Sequence, residues 1–323
     1  MADATYAAVF PGQGSQFAGM AYPWISHPAG REVLDEADDT MGLDIVASCR
    51  DEALLSTTGF VQPALLACDV AAFRVVESHV VEGWVGAAGH SLGEFAALVA
   101  GGVCSLSDML RVVVVRGSAM QAAGEQRPGT MSALLGVGAA EATEICDEAR
   151  GDGVLIVANE NSPQQVVISG SVAAIERAEA ACGARKIRAV RLNVAGAFHS
   201  ALMEPAVAPL ADAIDAIAFA SPRFPIASNV TGELVSDPEA LRDLLKRHVV
   251  SPVRWERCAQ ALASAGATTF VECGPGNVLT KLAKRVVPDA RAVAVSSPEA
   301  AAALSATGIV AGRGPAGTIS SPP

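Results

Sequence analysis

Basic residues are scarce in this sequence, which has 23 lysines and arginines against 34 aspartates and glutamates and a formal net charge of −11. Nucleic acids and anionic membranes bind to basic surfaces, so the charge balance argues against both as partners. An acidic protein partner would have to bind at a local basic patch.

Paired cysteine motifs and long apolar runs are also missing. The seven cysteines are odd in number and have no C-x-x-C spacing, so we expect neither a disulfide framework nor a metal site. The N-terminal segment lacks the basic and apolar regions of a signal peptide, and no run of eighteen or more apolar residues follows. We therefore expect a soluble cytoplasmic protein.

Hydrophobic residues make up 51% of the 323 residues, whereas charged residues contribute 18% and aromatic residues 4%. Short runs of Val, Ile and Ala are typical of buried parallel strands that are covered by helices. The composition therefore favours an α/β enzyme, and the length suits one large domain or two unequal ones.

The hydrophobic pattern divides the chain. Residues 6–10 and 84–88 predict strands that end at glycine-rich loops, whereas residues 131–192 predict strand, helix, strand, strand, helix, strand, the order of a ferredoxin-like unit. We predict a large α/β subdomain from residues 1–126 and 195–311 and a small ferredoxin-like subdomain inserted at 127–194. The Gly/Pro/Ser-rich residues 312–323 are expected to be disordered.

A candidate nucleophile lies in Gly89-His90-Ser91-Leu92-Gly93, a G-x-S-x-G motif between a predicted strand and a predicted helix. In that context the flanking glycines permit a sharp turn that exposes the serine hydroxyl at the start of the helix. The simpler alternative is a tight turn with a serine that caps the helix.

A serine nucleophile needs a base, and His199 is the best placed of the five histidines because its loop follows the last strand of the inserted unit. His248 stays open as an alternative, since separation in sequence says little about distance in space. His90 is adjacent to the nucleophile, so we expect its ring to point away and bond elsewhere.

An oxyanion intermediate would need two N–H donors. The backbone N–H of Leu92, directly after the serine, supplies one, and the open loop around Gln13 is a candidate for the other. The Gly-Gln-Gly sequence of that loop is equally compatible with a simple turn.

Arg116 follows four valines in an apolar predicted helix, where a guanidinium is costly to bury unless a carboxylate pairs with it. A substrate carboxylate and an internal Asp or Glu are equally good partners at this point.

Seven segments together resemble one enzyme family. In chain order they are Val9-Phe-Pro-Gly-Gln-Gly-Ser-Gln16, Gln62-Pro-Ala-Leu65, Gly89-His-Ser-Leu-Gly-Glu94, Arg116-Gly117, Asn161-Ser-Pro-Gln-Gln-Val166, Gly196-Ala-Phe-His199 and Gly274-Pro-Gly276. Over about residues 5–300 the chain resembles the malonyl-CoA:acyl carrier protein transacylases, a family that includes free-standing acyltransferases of polyketide synthases.

The resemblance implies a hydrolase-like parallel-sheet core with a ferredoxin-like insert. It implies Ser91 as nucleophile, His199 as general base and then acid, and Arg116 as the clamp on the malonyl carboxylate. Gln13 and Leu92 would supply the oxyanion N–H groups. A backbone carbonyl at Arg254, in Ser251-Pro-Val-Arg-Trp255, would orient the histidine in place of a buried Asp, and Asn161 and His90 would lie near the substrate.

Two neighbours of the predicted catalytic pair bear on acyl-group choice. Phe198 before the histidine and Leu92 after the serine resemble malonyl-selective members of the family, because a bulky Phe would crowd an α-methyl branch. One methyl group usually changes selectivity by only about 1–3 kcal/mol.

The expected reaction moves a malonyl group from coenzyme A to Ser91 and then to the phosphopantetheine thiol of an acyl carrier protein, with no cofactor and in a monomer. Fatty acid and polyketide synthesis both remain open, as does a trans-acting polyketide acyltransferase with another donor. A serine hydrolase and a non-catalytic carrier-docking module are the rivals. Two basic clusters could receive an acidic carrier, or be ordinary solvated surface: Arg185, Lys186, Arg188 and Arg191, or Lys281, Lys284 and Arg285.

Overall fold

The computed structural model describes residues 4–304, so the tail predicted at 312–323 lies outside the described residues. The strands of this part of the chain are β1 (Tyr6–Phe10), β2 (Trp84–Gly89), β3 (Gly129–Leu135), β4 (Leu155–Ser162), β5 (Gln165–Ser171), β6 (Arg188–Arg191), β7 (Ile226–Ala227), β8 (Leu234–Val235), β9 (Thr269–Cys273) and β10 (Arg291–Val295).

Thirteen α-helices connect and cover these strands within residues 4–304. They are α1 (Pro28–Met41), α2 (Ile45–Ser48), α3 (Glu52–Leu55), α4 (Thr58–Glu77), α5 (Gly93–Ala100), α6 (Leu106–Gln126), α7 (Ala139–Ala149), α8 (Val172–Ala184), α9 (Val207–Asp215), α10 (Pro238–Lys246), α11 (Trp255–Ser264), α12 (Val278–Val286) and α13 (Pro298–Leu304). Short 3₁₀ helices span Tyr22–Ser26, Ala201–Ala206 and His248–Val250.

The main sheet has the strand order β10-β9-β1-β2-β7-β8, in which β8 alone runs antiparallel to its neighbour. β1 is buried at every position, which explains its unbroken apolar sequence. In the register of β1 and β2, Phe10 lies opposite Gly89, so the loops that follow the two strands begin side by side. The predicted α/β class with a parallel-sheet core is confirmed.

Helix α4 packs in the centre of the protein. It is long and apolar enough to cross a membrane by length and composition, but 83% of its most apolar window is buried within the protein. We therefore interpret α4 as a core helix.

The inserted region forms a second sheet of order β4-β5-β3-β6, and all of its neighbouring pairs are antiparallel. With α7 and α8 it follows the predicted strand–helix–strand–strand–helix–strand order and has an apolar core of its own. The boundaries at residues 127 and 194 stay a prediction.

The two sheets are joined through β4. Asn159 forms an isolated parallel bridge with Val253, and the backbone N–H of Val253 donates to the Ala158 carbonyl at 2.8 Å. Since the segment around Val253 precedes α11 of the main region, this bridge joins the middle of β4 to the main region. A cleft lies between the two sheets.

Candidate active site

The cleft has a volume of about 290 Å³ and is lined by loops and helices of the main region and by strands of the inserted sheet. Eight of the nine predicted site residues line it: Gln13, His90, Ser91, Leu92, Arg116, Asn161, Phe198 and His199. The chain therefore brings together residues that are separated by up to about 190 positions in the sequence. The ninth, Arg254, does not line the cleft.

Ser91 lies in a strained turn, residues 89–93, which we call the nucleophile turn. Its φ of 51° is unusual for a residue other than glycine and costs of the order of 1–3 kcal/mol. A Cβ atom on Gly89 would lie 1.7 Å from the carbonyl carbon of Gly93, and one on Gly93 would lie 2.0 Å from the Phe10 oxygen. Packing thus explains both glycines of the motif.

Ser91 and His199 form a hydrogen-bonded pair, with 2.7 Å between the serine Oγ and the histidine Nε2. On the other side of the ring, Nδ1 lies 3.0 Å from the Ser251 carbonyl and 3.2 Å from the His248 carbonyl. A carbonyl can only accept, so Nδ1 carries the proton and Nε2 is free to accept from the serine hydroxyl. This is the tautomer that a general base requires.

Burial lowers the pKa of His199 well below its usual range, and the nearby His248 and Arg116 lower it further. The imidazole is therefore neutral at pH 7 and able to take a proton. His199 also has a positive φ of 60°, which places a second strained residue at the same site.

The prediction that Arg254 supplies the orienting carbonyl is wrong. The predicted segment does provide it, but three residues earlier, at Ser251, with His248 as a second acceptor. Arg254 faces the other way, because its backbone N–H donates to the Asn229 carbonyl at 3.0 Å and its guanidinium donates to the Val230 carbonyl.

Arg116 is only 1% exposed, and its guanidinium points at the nucleophile. Nη1 donates to Gln62 Oε1 at 2.6 Å and Nη2 to Ser91 Oγ at 3.2 Å, while Nε has no partner among the described residues. Burial lowers the pKa of Arg116 to about 9, so the group stays charged at pH 7. Within residues 4–304 it forms no ion pair.

The loops that carry the two predicted oxyanion donors, Gln13 and Leu92, pack against each other. The N–H of Ser91 donates to Asn229 Oδ1 at 2.8 Å, which leaves the next N–H, that of Leu92, at the start of α5. An ideal Cβ on Gly12 would lie 3.7 Å from the Leu92 nitrogen, so the loop that carries Gln13 packs directly against this amide. The assignment of the Gln13 and Leu92 N–H groups to an oxyanion stays a prediction, since a developing negative charge needs two such donors at one point.

His90 and Asn161 contact each other across the cleft, with 2.8 Å between the histidine Nε2 and the amide Oδ1. The ring of His90 packs near that of Trp255, at a centroid distance of 6.0 Å. His90 thus links the nucleophile turn to β4 of the inserted sheet.

Beneath the nucleophile lie polar groups that sequence reasoning missed. Asn229 follows the two-residue strand β7, which is too short to give a hydrophobic pattern. Glu94 is 2% exposed, and burial raises its pKa to about 7. The His248 Nε2 lies 3.4 Å from Asn229 Oδ1 and 3.3 Å from a Glu94 oxygen, so this histidine contacts the polar groups beneath the turn.

No group of three or more His, Cys, Asp or Glu side chains in the described part of the chain is arranged to hold a metal ion. The reactive groups of the cleft are those of a serine acyl-transfer site with a free cation beside it.

Known proteins are similar to this chain over nearly its whole length. The model of a family described as the acyl transferase domain matches residues 7–304. The chain belongs to this acyltransferase family. Malonyl CoA-acyl carrier protein transacylase of Escherichia coli K12 is 40% identical to this acyltransferase over 302 residues, which cover 92% of the chain and 98% of the relative.

Two solved structures are similar to this acyltransferase throughout. The malonyl-CoA:acyl carrier protein transacylase of Xanthomonas oryzae pv. oryzae has a TM-score of 0.90 and 40% identity, and the match covers 95% of this chain and 99% of that one. A malonyl-transacylase in complex with a type II polyketide synthase acyl-carrier protein also has a TM-score of 0.90, with 37% identity and coverage of 94% and 100%.

Proposed function

We propose that this acyltransferase moves a malonyl group from malonyl-CoA to the phosphopantetheine thiol of an acyl carrier protein through an ester on Ser91. The observation that carries the proposal is the buried guanidinium of Arg116, 3.2 Å from the Ser91 hydroxyl and without an ion-pair partner in residues 4–304. A free cation at this distance suits the carboxylate of a malonyl group.

In the first half-reaction Ser91 Oγ attacks the thioester carbonyl while His199 Nε2 takes the hydroxyl proton. The Leu92 and Gln13 N–H groups stabilise the oxyanion. When the intermediate collapses, the C–S bond breaks, and His199 returns its proton to the coenzyme A thiolate. The products are malonyl-Ser91 and free coenzyme A.

In the second half-reaction the carrier thiol gives its proton to His199 and attacks the ester. The Ser91 C–O bond breaks, and the proton returns to the serine oxygen. Atoms and charge balance without a redox partner, so the proposed route needs no cofactor.

The acyl pocket supports malonyl over branched donors. Phe198 is next to the base, lines the cleft and is only 7% exposed, so it has little room to move away from an α-methyl group. We infer a preference for malonyl-CoA over methylmalonyl-CoA.

The group that orients His199 does not support the alternative that the protein is a serine hydrolase. A serine hydrolase of this motif usually carries an Asp or Glu on its histidine, whereas His199 Nδ1 meets two backbone carbonyls. The intact Ser91–His199 pair also speaks against a module that only docks carriers.

We infer that the carrier docks over α12. Val278, Leu279 and Leu282 of this helix line the cleft, and its outer face carries exposed Lys281, Lys284 and Arg285. In the insert cluster, by contrast, Arg185 and Arg191 already pair with Glu148 and Glu179. An acidic carrier would find free charge beside the cleft at α12.

The setting of the reaction follows from its chemistry. Malonyl carriers serve chain extension, so the proposal places the enzyme in fatty acid or polyketide synthesis. We further propose that it works in the cytoplasm as a monomer, because the eight predicted site residues that line the cleft all come from one chain.

Intact-protein mass after mixing with malonyl-CoA, acetyl-CoA or methylmalonyl-CoA tests the proposal. We expect a malonyl adduct on the wild type that is absent from Ser91→Ala and disappears when reduced carrier protein is added. Arg116→Ala should lose malonylation by about 100-fold or more while it keeps any slow acetylation, because only the malonyl group has a carboxylate to pair.

Other outcomes would replace the proposal. Rapid release of free malonate without a carrier indicates a hydrolase, and no adduct with any donor indicates a docking module. Equal loss of malonyl and acetyl transfer in Arg116→Ala would remove the assigned role of the guanidinium.

A further inference from the structure

Asn229 is fully buried at the point where β7 ends beside β2. Since Ala88 pairs with Ala227 in these parallel strands, Asn229 lies next to the nucleophile turn that follows β2. The sequence between β7 and α10 has no motif that the proposed reaction uses, yet this side chain is in direct contact with the turn.

The side-chain amide of Asn229 bridges the two residues on either side of His90. Its Oδ1 accepts from the Ser91 N–H at 2.8 Å, and its Nδ2 donates to the Gly89 carbonyl at 2.7 Å. The orientation of the amide follows from its partners, because an N–H can only donate and a carbonyl can only accept. The amide therefore provides hydrogen-bond partners for two backbone groups of the turn.

The backbone of Asn229 connects the same turn to the loop that orients His199. Its N–H donates to Glu94 Oε2 at 2.9 Å, and its carbonyl accepts from the Arg254 N–H at 3.0 Å. We call residues 248–254 the orienting loop, since His248 and Ser251 in it hold the His199 ring. Asn229 thus contacts both the turn that carries Ser91 and the loop that orients His199.

We propose that Asn229 is a positioning residue that locks the nucleophile turn and the orienting loop into one unit and so fixes the distance between Ser91 and His199. By taking up the Ser91 N–H it also leaves the Leu92 N–H as the donor that faces the oxyanion. Two residues with positive φ, Ser91 and His199, need such external support to persist.

Two variants of Asn229 distinguish the loss of the hydrogen-bond donor from the loss of the side chain's size. In Asn229→Asp the shape is kept, but a carboxylate oxygen replaces Nδ2 and faces the Gly89 carbonyl, acceptor against acceptor. In Asn229→Ala both contacts are lost. Ser169→Ala is the matched control, because it also removes a buried polar atom, from a hydroxyl with no partner in residues 4–304, in the inserted sheet.

The first measurement is the rate at which Ser91 reacts with a fluorophosphonate probe, which needs an activated serine but neither malonyl-CoA nor a carrier. We expect both Asn229 variants to react about 30- to 100-fold more slowly than the wild type, because small misplacements of reacting groups have effects of this size. The control should stay within twofold of the wild type. Malonylation, which rests on the proposed function, should fall in kcat with KM changed less than threefold.

A pH series distinguishes positioning from simple loss of stability. When the new carboxyl of Asn229→Asp takes up a proton, it can donate to Gly89 again, so the deficit relative to the wild type should narrow as the pH is lowered. A residue that only supports folding would lower Tm while the folded variant reacts at the wild-type rate.

The proposal is overturned if either folded variant reacts within threefold of the wild type, or if the loss lies in KM alone. If Asn229→Ala does not fold, the isosteric Asn229→Asp decides the question. A wild type that reacts with the probe but takes no malonyl group would refute the proposed function, and the probe rates would still test Asn229.

Discussion

In the inserted sheet, charged side chains lie at the surface and pair with each other, as Arg191 does with Glu179 at 2.6 Å. In the main region, by contrast, several ionisable side chains are buried: Arg116 is 1% exposed, Glu94 is 2% exposed and Asp69 is fully buried. Ion pairs at a surface contribute little, whereas buried charges carry large desolvation costs. The main region thus gives up stability where the insert does not.

The space around the backbone differs sharply between the nucleophile turn and helix α8 of the insert. A Cβ on Gly89 would meet backbone atoms at 1.7 Å, whereas a Cβ on Gly183 in α8 of the insert would meet nothing within 4 Å. The insert also has one such close backbone contact, at Gly170, where a Cβ would lie 2.1 Å from the Val154 carbonyl oxygen, but the contacts at Gly89 join the end of β2 to the start of α5. Of the three residues other than glycine that have a positive φ in the described part of the chain, Ser91 and His199 lie where the chemistry is proposed, and the third is Lys186 of the insert.

The largest expected effect comes from Gly89→Ala. The added methyl group overlaps the backbone of Gly93 and Glu94, which cannot move without displacing α5. We expect a loss of more than about 3 kcal/mol in the free energy of unfolding, or failure to fold. Urea denaturation followed by circular dichroism measures the loss.

Gly183→Ala is the contrasting change in the insert. Gly183 is exposed in the last turns of α8, so alanine should raise the free energy of unfolding by about 0.5–1 kcal/mol through helix propensity. Similar losses in both variants would contradict the contrast between the two regions.

The next-largest effect is a pH-dependent change in the free energy of unfolding when Asp69 is replaced. Neither carboxyl oxygen has a hydrogen-bond partner among the described residues, and burial, with the nearby Glu272, raises the pKa of Asp69 well above its usual value. Because the folded state holds this proton more tightly than the unfolded state, stability is lost as the pH rises above the unfolded pKa. Asp69→Asn removes that loss, so it should stabilise the protein by roughly 1–2 kcal/mol at pH 8 and progressively less toward pH 4.

Glu179→Gln in the insert should lower the free energy of unfolding, which is the opposite sign to Asp69→Asn. The hydrogen bond from Arg191 lowers the pKa of Glu179, so its contribution is present above the unfolded pKa and is lost on acidification. Denaturation curves for both variants between pH 4 and 8 provide the measurement. An Asp69→Asn gain that does not depend on pH would show that Asp69 is charged in the folded protein.

Local pattern was sufficient for much of the fold. β1 spans the predicted residues 6–10, and the order of the inserted elements follows the prediction, because both rest on apolar runs and periodicity. The main sheet also contains β7, two residues long, and β10, whose sequence Arg-Ala-Val-Ala-Val begins with an exposed arginine. Neither strand was predicted, since neither has an apolar run that stands out from its surroundings.

Only the site residues that lie in sequence motifs could be predicted. Ser91, His199 and Arg116 lie in segments with a recognisable pattern, and the structure brings all three to one cleft. The resemblance predicts the segment that provides the carbonyl for His199 but not the residue, because a three-residue shift along a loop leaves no mark in sequence. Asn229 acts through contacts with Gly89 and Ser91, some 140 positions away, which only the folded chain reveals.

The smallest expected effect separates the two basic clusters, one in each region. We expect the double change Lys281→Glu and Lys284→Glu on α12 to raise the KM for carrier protein about tenfold, because reversed charges repel an acidic partner. Lys186→Glu with Arg188→Glu on the insert is the matched control, with the same change in net charge, and should alter KM less than threefold. Acylation of Ser91 by malonyl-CoA alone should be unchanged in both, since neither pair lines the cleft. The α12 effect should also shrink in high salt, as screened surface charges require. A larger loss from the insert pair would place the carrier on the four-stranded sheet, and the unpaired charge on α12 would then be ordinary solvated surface.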